Sequence, residues 1–431
     1  MPYAFLIVTL VGAAAVTLAY RPIRREPFTV VSFASAWIAG ELAFQNIVWQ
    51  MVATAIFISF GALEGWAGWL GLAVAVADWV GLLGLGIAGR RAAGVTAAAL
   101  DDVRTDAFPV PREPTAPTWG RWWRVTRAIP FRSRAVQTIS NIDYWGDGIR
   151  RHRLDIYHSR PAPPERAPVM VYVHGGAWVI GDKREQGKPM MYELVARGWV
   201  CVAINYRLSP KATWPDHIVD VKRAVAWVKE HIADYGGDPS FVAVSGGSAG
   251  GHLCALLALS EGDAAFQPGF ETADTSVDAC VPFYGVMDMT GSPEGSARYG
   301  PGLLEMLEKT VMKTRESEHP ELFRAASPTF RVRPDAPPFF VLHGANDTLV
   351  PVETARTFVE RLRAVSREPV AYAELPLAQH AFDVLASLRC QATTSAVADF
   401  LEGARAAATP GGQPGPTEVR NFSDIESETG P

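Results

Sequence analysis

Three long apolar stretches occupy the N-terminal part of the chain. Residues 3–20 carry no charge, residues 28–63 are broken only by scattered polar side chains, and residues 67–88 carry a single charge, Asp78. We therefore predict an all-α, membrane-spanning region of about three helices at residues 1–91, because about 20 apolar residues in a helix cross the hydrocarbon core of a bilayer. The middle stretch would form either one span preceded by an interfacial piece or two short spans.

The arginines beside these stretches predict how the region sits in the membrane. Arginines cluster at residues 21–25 and again at residues 90–91, whereas the short loop at residues 63–66 has no Lys or Arg. The positive-inside rule then places the N-terminus outside and both clusters in the cytoplasm. We predict a multi-pass protein of the cell membrane whose larger part, after Arg91, faces the cytoplasm. A cleaved signal peptide is the weaker interpretation, because no basic residue precedes the first stretch.

Two ionisable side chains lie within the apolar stretches, Glu41 and Asp78. Each would cost free energy if it faced lipid, so we expect both to face protein or the membrane interface. There they would share a proton with one another or pair with polar neighbours.

From residue 136 onward, short apolar strands alternate with segments of helical periodicity. A strand pair around the turn at residues 146–148 comes first, and a helix is predicted at residues 216–235. The later strands are continuous apolar runs, as expected of strands buried on both faces of a parallel sheet; they are residues 169–173, 200–204, 241–245, 279–284, 339–342 and 370–375. This alternation predicts an α/β domain at residues 136–405, with a mostly parallel sheet and helices on both faces.

Two segments outside this domain have a biased composition. Residues 92–135 are predicted to contain a short helix at residues 92–106, a proline-rich linker at residues 109–117 and a stretch of interleaved Trp and Arg at residues 119–134. Tryptophan beside arginine suits a membrane surface, and an amphipathic helix packed on the core explains the pattern equally well. Residues 406–431 are rich in Pro, Gly, Ser and acidic residues without periodicity, which predicts disorder.

The composition of the whole chain argues against nucleic acid and structural zinc as partners. The net charge is −5, which gives no sign of nucleic-acid binding, and no Cys/His spacing typical of a zinc site is present. The four cysteines, Cys201, Cys254, Cys280 and Cys390, are scattered beside apolar runs. We interpret them as buried free thiols in a reducing compartment and not as a disulfide framework.

The turn after the strand at residues 241–245 is the strongest candidate for chemistry. There Gly246, Ser248 and Gly250 form a Gly-x-Ser-x-Gly pattern before an apolar run of helical character. This pattern is typical of a nucleophile elbow, a sharp strand-to-helix turn that exposes a serine hydroxyl and leaves no room for flanking side chains. The alternatives are a turn that only connects and a phosphate-binding loop. The phosphate alternative is disfavoured because Ser248 stands where a dinucleotide fingerprint has its middle glycine.

A second glycine-rich loop, His-Gly-Gly-Ala-Trp at residues 174–178, follows the first continuous apolar run. Acyl transfer builds negative charge on a carbonyl oxygen, and backbone N–H groups aimed at that oxygen stabilise it. We expect Gly175 and Gly176 to supply such donors, and Ala249, directly after the serine, to supply another. His174 is interpreted as a residue that shapes the loop by hydrogen bonding.

Two residues downstream of Ser248 complete a candidate catalytic triad. A serine nucleophile needs a base that an acid orients, and in hydrolases of this architecture the chain order is serine, acid, histidine. Asp347 follows a buried strand and His380 lies in the loop after the last strand. The order and the placement predict the triad, with Asp383 and Glu353 as fallback acids.

Together these motifs resemble the hormone-sensitive-lipase-like branch of the α/β-hydrolase superfamily, which includes bacterial serine esterases and lipases. The resemblance rests on residues 174–178, 246–250, 343–347 (His-Gly-Ala-Asn-Asp) and 379–380 (Gln-His), within residues 136–402. It implies an α/β-hydrolase fold and hydrolysis of carboxylic esters through an acyl-serine intermediate, with no metal and no organic cofactor.

The chain departs from this family in two respects. The family's usual third glycine after the histidine is Ala177 here, although alanine occupies that position in some relatives, including isoprenylcysteine methylesterase-like enzymes. Ester hydrolysis remains the expectation, while the subfamily stays open. The apolar N-terminal stretches also lie outside the common core of the family.

Helical spacing between two of the sheet strands predicts a cap insertion at about residues 288–332. Helices inserted there lie above the carboxyl edge of the sheet, where ligands bind in open α/β sheets. Leu303, Leu304, Met306 and Leu307 are the candidates for lining an acyl pocket, and an insertion that only stabilises the fold is the alternative.

We therefore predict a membrane-anchored serine esterase or lipase whose partner is a small-molecule or lipid ester that partitions into the bilayer. Amide hydrolysis, deacetylation and acyl transfer form the first alternative, because the acyl-enzyme is common to them and only the bond or the acceptor differs. A non-catalytic binder on the same fold is the second alternative, which the presence of all three triad members disfavours.

Overall fold

The computed structural model describes residues 1–111, 133, 135–160, 166–291 and 301–409. Its N-terminal part consists of α1 (Pro2–Tyr20), α2 (Thr29–Glu41), α3 (Ala43–Ser59) and α4 (Trp66–Asp101). By length and apolarity α1 and α4 each qualify as a membrane span, whereas α2 and α3 qualify only as a pair and are bent by 91° at their junction. The predicted apolar stretches are thus helical, and the middle one consists of two helices.

Helices α1 and α4 pack closely and run parallel. A Cβ atom on Gly71 would lie 3.0 Å from the Phe5 ring, and one on Gly84 would lie 2.3 Å from the Tyr20 hydroxyl oxygen. Small residues allow helix backbones to approach in this way where packing drives their association. Because the contacting pairs advance together along both helices, α1 and α4 point in the same direction.

Glu41 and Asp78 both face protein, as predicted. Asp78 in α4 lies against α1 and α3: a Cβ atom on Gly12 would be 2.9 Å from the Asp78 carboxylate and 3.3 Å from Gln50 Nε2. Glu41 at the end of α2 accepts a hydrogen bond of 2.6 Å from Ser387 Oγ, far along the chain. The two carboxylates have different neighbours, so a proton shared between them, the first of the two alternatives, is wrong, and Glu41 pairs with polar neighbours as in the second.

Residues 92–101 belong to α4 and do not form a separate helix. Helix α4 has 36 residues, which corresponds to about 54 Å and exceeds the ~30 Å thickness of a bilayer core. The alanine-rich sequence after Arg91 favours continuation of the helix, and Ala99 near its end is buried in the core of the second part of the molecule. The short helix predicted at residues 92–106 is therefore wrong as an independent element.

The second part of the molecule is built on an eight-stranded, mostly parallel sheet, which confirms the predicted α/β-hydrolase fold class. Its strands are β1 (Val136–Asp143), β2 (Arg153–Ser159), β3 (Ala167–Val173), β4 (Val200–Ile204), β5 (Gly237–Gly247), β6 (Ala279–Phe283), β7 (Phe339–Gly344) and β8 (Val370–Leu375). They lie in the order β1-β2-β4-β3-β5-β6-β7-β8. The β1–β2 and β2–β4 pairs are antiparallel, and the pairs from β4 to β8 are parallel.

Helices cover both faces of this sheet. They are α5 (Lys188–Ala196), α6 (Asp216–His231), α7 (Ala249–Leu259), α8 (Pro301–Met306), α9 (Pro320–Ala325), α10 (Val352–Val365) and α11 (Leu388–Ala408). Strands β3 and β4 are buried along their whole length, which explains their continuous apolar sequences. Neighbouring β3 residues point to opposite faces, so Val171 belongs to one core cluster and Tyr172 to the other.

All four cysteines are buried and free, as predicted.

The cap and the C-terminal segment differ in how much of each the structure describes. The cap insertion contains α8, a π-helical turn (Leu307–Met312) and α9. Residues 406–408 are the end of α11 and not the start of a disordered tail. The rest of that tail, residues 410–431, and nearly all of the Trp/Arg stretch lie outside the described residues.

Candidate active site

Ser248 lies at the sharp turn between β5 and α7. Its backbone has φ 56° and ψ −120°, and a residue other than glycine adopts such a conformation at a cost of about 1–3 kcal/mol. The turn is held by the neighbouring strand, because the Ser248 N–H donates a 3.0 Å hydrogen bond to the Phe283 carbonyl at the end of β6. A strained serine at the carboxyl edge of a central strand is the geometry of a nucleophile elbow.

The two glycines of the elbow motif are required because β3 ends against them. A Cβ atom on Gly246 would lie 2.4 Å from the Val173 carbonyl oxygen, and one on Gly250 would lie 2.1 Å from the same oxygen. Since neither distance is compatible with van der Waals contact, any side chain here would push the elbow away from β3. Both supporting positions predicted from the sequence therefore have a steric explanation.

His380 and Asp347 meet at the same edge of the sheet. His380 Nδ1 lies 2.7 Å from Asp347 Oδ2, while Asp347 Oδ1 accepts hydrogen bonds from the backbone N–H groups of Leu349 (2.8 Å) and Val350 (2.9 Å). The side chains of His380 and Asp347 are both buried. The carboxylate is thus fixed by its own turn and aimed at one ring nitrogen, which leaves His380 Nε2 for a nucleophile.

The Asp347 carboxyl group stays ionised although it is buried. Burial by itself would raise the pKa of Asp347, but the imidazoles of His380 and His343 hold this pKa well below its ordinary value. His343 Nε2 lies 3.3 Å from Asp347 Oδ2. An ionised acid in this position orients the histidine and stabilises its protonated form.

The two fallback acids have other partners. Asp383 accepts a hydrogen bond from the Tyr284 hydroxyl, and burial raises the pKa of Asp383 to about 6. Glu353 lies on α10 with its side chain 48% exposed and 3.8 Å from Arg356.

Tyr284 is a residue of the site that the sequence did not indicate, and its ring centroid is 4.4 Å from that of His380. Its position directly after β6, the strand next to β5, could have predicted that it lies at the same edge of the sheet as Ser248.

The loop at residues 174–178 lies against Ser248. A Cβ atom on Gly175 would be 3.2 Å from Ser248 Cβ. Gly176 has φ 121°, and a Cβ atom there would be 2.2 Å from the Ile180 carbonyl oxygen. Glycine at residue 175 therefore lets the loop pass this close to Ser248, and glycine at residue 176 lets it turn back against Ile180.

His174 shapes this loop, as expected. Its Nδ1 donates a 2.8 Å hydrogen bond to the Gly175 carbonyl, and its ring stacks on Tyr206 with centroids 4.5 Å apart. Burial lowers the pKa of His174 to about 4, so the ring is neutral at physiological pH. The Gly175 N–H in turn donates to Gln186 Oε1 at 2.8 Å, a contact that sequence reasoning missed.

One cavity of about 460 Å³ is lined by both Ser248 and His380. Of the four cap residues expected to line an acyl pocket, Leu303 and Met306 do line it. Leu304 and Leu307 pack on the hydrophobic core of the domain instead. The cap thus contributes one side of the cavity wall.

Another side of the cavity wall comes from the N-terminal helices. Arg24 and Glu26 in the α1–α2 connection and Thr29, Val30 and Phe33 in α2 line the cavity. The sequence indicates for these residues only a membrane region, because contacts between segments so distant along the chain leave no local pattern. The site is therefore built from both parts of the molecule.

Comparison with known proteins adds four findings. A family model described as BD-FAE matches residues 154–362. The probable carboxylic ester hydrolase LipM of Mycobacterium tuberculosis is 45% identical over 433 residues, which cover 95% of this chain and 95% of LipM. The esterase LipQ of the same organism is 53% identical over 274 residues, 63% of each chain. A truncated carbohydrate esterase from gut microbiota has a similar fold, with a TM-score of 0.52 at 23% identity over 64% of this chain and 99% of its own.

Proposed function

Because this chain belongs to the hormone-sensitive-lipase-like family of α/β-hydrolase esterases and is a carboxylic ester hydrolase, we propose that Ser248, His380 and Asp347 form its catalytic triad. The proposed substrate is an apolar ester that partitions into the bilayer, and the N-terminal helices anchor the enzyme to the cell membrane. The shared cavity carries this proposal, since residues of α2 line the space into which the serine and the histidine open.

In the proposed mechanism Ser248 Oγ attacks the ester carbonyl while His380 Nε2 takes the hydroxyl proton. His380 then gives this proton to the departing alcohol, which leaves an acyl-serine. A water molecule, deprotonated by the same histidine, then attacks the acyl group. The histidine returns this proton to Ser248 Oγ as the bond to the acyl group breaks and the carboxylic acid leaves. Asp347, 2.7 Å from His380 Nδ1, keeps the ring in the tautomer whose Nε2 can accept a proton.

The backbone N–H groups of Gly176 and Ala249 are the proposed donors to the oxyanion of each tetrahedral intermediate. One such donor contributes about 3 kcal/mol to transition-state stabilisation. Gly175 differs from the other two predicted donors, because its N–H donates to Gln186 Oε1. Gly175 would act as a third donor only after this hydrogen bond to Gln186 Oε1 is broken.

The helix arrangement supports a placement with α1, α3 and α4 as spans and α2 at the cytoplasmic interface. Gly65, just before α4, is close to Pro2, because a Cβ atom on Gly65 would lie 3.8 Å from the Pro2 ring. The N-terminus and the α3–α4 loop therefore share one end of the bundle, and the arginine clusters belong to the other. By the positive-inside rule the catalytic domain then faces the cytoplasm.

Introduced cysteines test this placement, because all four native cysteines are buried. Glu64 and Glu368 are exposed, one in the α3–α4 loop and one on the catalytic domain. In intact cells a membrane-impermeant maleimide should label Glu64→Cys and should label Glu368→Cys only after permeabilisation. The reverse pattern would overturn the proposed orientation.

Hydrolysis of p-nitrophenyl esters of increasing acyl length tests the proposed activity. The full-length chain in detergent micelles should show turnover that rises with chain length and that Ser248→Ala abolishes. Matched amides and added alcohols, run alongside, measure the competing reactions. Turnover that survives Ser248→Ala would refute the triad, and faster cleavage of the matched amide, or a preference for acetate esters, would refute the proposed substrate.

A further inference from the structure

The loop that carries the triad histidine has a strained backbone. This histidine loop, residues 376–387, connects β8 to α11. Leu377 and Ala381 have positive φ angles of 52° and 60°, which residues other than glycine rarely adopt. Such conformations persist only where the surrounding structure holds them, so the partners of the loop decide where His380 points.

Two side chains of α2 contact the histidine loop at its centre. Trp37 Nε1 donates a 2.9 Å hydrogen bond to the Ala381 carbonyl, directly after the triad histidine. The Phe33 ring lies edge-on to the His380 ring, with centroids 6.2 Å apart and planes at 76°. Phe33 also lines the cavity. Helix α2 thus contacts the catalytic histidine and the backbone next to it.

A third residue of α2 connects both ends of the histidine loop. Glu41 accepts a 2.6 Å hydrogen bond from Ser387 Oγ, where the loop ends. Glu41 also forms an ion pair with Arg389, and both side chains are only 1% exposed. Arg389 Nη2 in turn lies 3.4 Å from the Pro376 carbonyl, where the loop begins. One carboxylate from the membrane region therefore organises the two points at which the loop joins the domain.

We propose that α2 is a positioning element of the catalytic site, in addition to forming part of the anchor. Trp37 and Glu41 hold the histidine loop so that His380 Nε2 faces Ser248, and Phe33 forms the wall against which the acyl chain packs. The inference rests on the proposed function, since it concerns ester hydrolysis by this triad. Catalysis then depends on the packing of a membrane helix, and the acyl chain reaches the site along α2.

The exposed surface of α2 agrees with this route. Val30 and Val31 are 62% and 60% exposed, and Val30 lines the cavity as well. Apolar residues that are exposed on a helix at the membrane interface contact acyl chains. The apolar surface is therefore continuous from the lipid-facing side of α2 to the cavity.

Trp37→Phe tests the positioning role, because it keeps an aromatic ring and removes the N–H donor. In the full-length chain in detergent micelles, kcat should fall about 3- to 10-fold, the equivalent of one net hydrogen bond, with KM unchanged. The loss should be the same for short and long acyl esters, since the position of the base affects the chemical step. Trp49→Phe is the matched control, because Trp49 is 72% exposed on α3.

Phe33→Ala tests the acyl wall separately. This variant should lose about 5-fold or more of the preference for long over short acyl esters, since a large apolar contact with the chain is removed. For both variants kcat is expressed per active site titrated with a fluorophosphonate, so that a partly unfolded preparation does not imitate the effect.

The outcomes separate the two levels of the proposal. If wild type is active and Trp37→Phe matches Trp49→Phe in kcat, α2 does not position the histidine, and the proposed function stands. An unchanged chain-length profile in Phe33→Ala would overturn the acyl wall. If wild type shows no serine-dependent ester hydrolysis, the proposed function itself fails.

Discussion

The buried Glu41–Arg389 ion pair predicts how strongly the N-terminal helices and the catalytic domain stabilise one another. Both side chains are 1% exposed, and the pair joins α2 to the first turn of α11. Arg389→Met removes the positive charge and leaves the Glu41 carboxylate buried, with Ser387 Oγ as a hydrogen-bond donor. Breaking a buried pair in this way costs about 3–5 kcal/mol, because one charge remains uncompensated.

The double variant Glu41→Met/Arg389→Met separates the cost of an unpaired buried charge from the cost of altered packing. Apolar residues of similar volume in place of both members of a buried pair are commonly neutral or stabilising. We therefore expect each single variant to be strongly destabilised and the double variant to recover most of the loss. Arg356→Met is the control, since Arg356 is 51% exposed in its pair with Glu374 and such a pair contributes at most about 1 kcal/mol.

Thermal unfolding in detergent, followed by tryptophan fluorescence, measures these differences. A change of 1 kcal/mol shifts Tm by about 2–4 °C in a domain of this size, so each single variant should melt of the order of 10 °C below wild type. Single variants within 2 °C of wild type would refute the reasoning. A double variant less stable than either single variant would refute it as well, because the loss would then come from packing and not from an unpaired charge.

Three further predictions concern the catalytic domain. Asp347→Asn should lower kcat about 10⁴-fold, because the histidine loses its orienting acid; steady-state hydrolysis measures this. The pKa of Asp347 is lower in the folded than in the unfolded state, so its contribution to stability is present above about pH 4 and is lost as the pH falls through the folded pKa. Tm should therefore fall more steeply on acidification in wild type than in Asp347→Asn, and parallel curves would contradict this. Gly250→Ala should prevent correct folding, since its Cβ atom would be 2.1 Å from the Val173 carbonyl oxygen. Gly89→Ala is the control that should fold, because its Cβ atom would meet nothing within 4 Å. Soluble yield and Tm of the two variants measure the difference.

The sheet and the meeting of Ser248, His380 and Asp347 at its edge were predictable from the sequence, because each part has a local signature. Strands β3 and β4 are buried on both faces, so their sequences are continuous apolar runs. The elbow needs glycine on both sides of Ser248, for steric reasons that the distances to Val173 make explicit. The carboxyl ends of parallel strands meet at one edge, so a histidine and an aspartate placed after two such strands are brought together.

The contacts between the two parts of the molecule were not predictable in the same way. Phe33 and Trp37 are ordinary residues of an apolar stretch, and nothing local indicates that they meet His380 and Ala381. Glu41 is unusual there because it is ionisable, but the sequence does not indicate Arg389 as its partner. Gln186 lies in a loop without a motif, yet its side chain accepts from Gly175. Such pairings depend on how whole helices pack, which a local pattern of hydrophobic and polar positions does not specify.

Trapping of the covalent intermediate tests the central claim most directly. Full-length protein in detergent micelles is mixed with excess p-nitrophenyl ester of a long-chain acid, quenched with acid within the first turnover and digested for mass spectrometry. We expect the acyl mass on the peptide that contains Ser248, together with a p-nitrophenolate burst that matches the number of active sites. Wild-type turnover with no acyl mass on that peptide, or with the acyl group on another residue, would contradict the account.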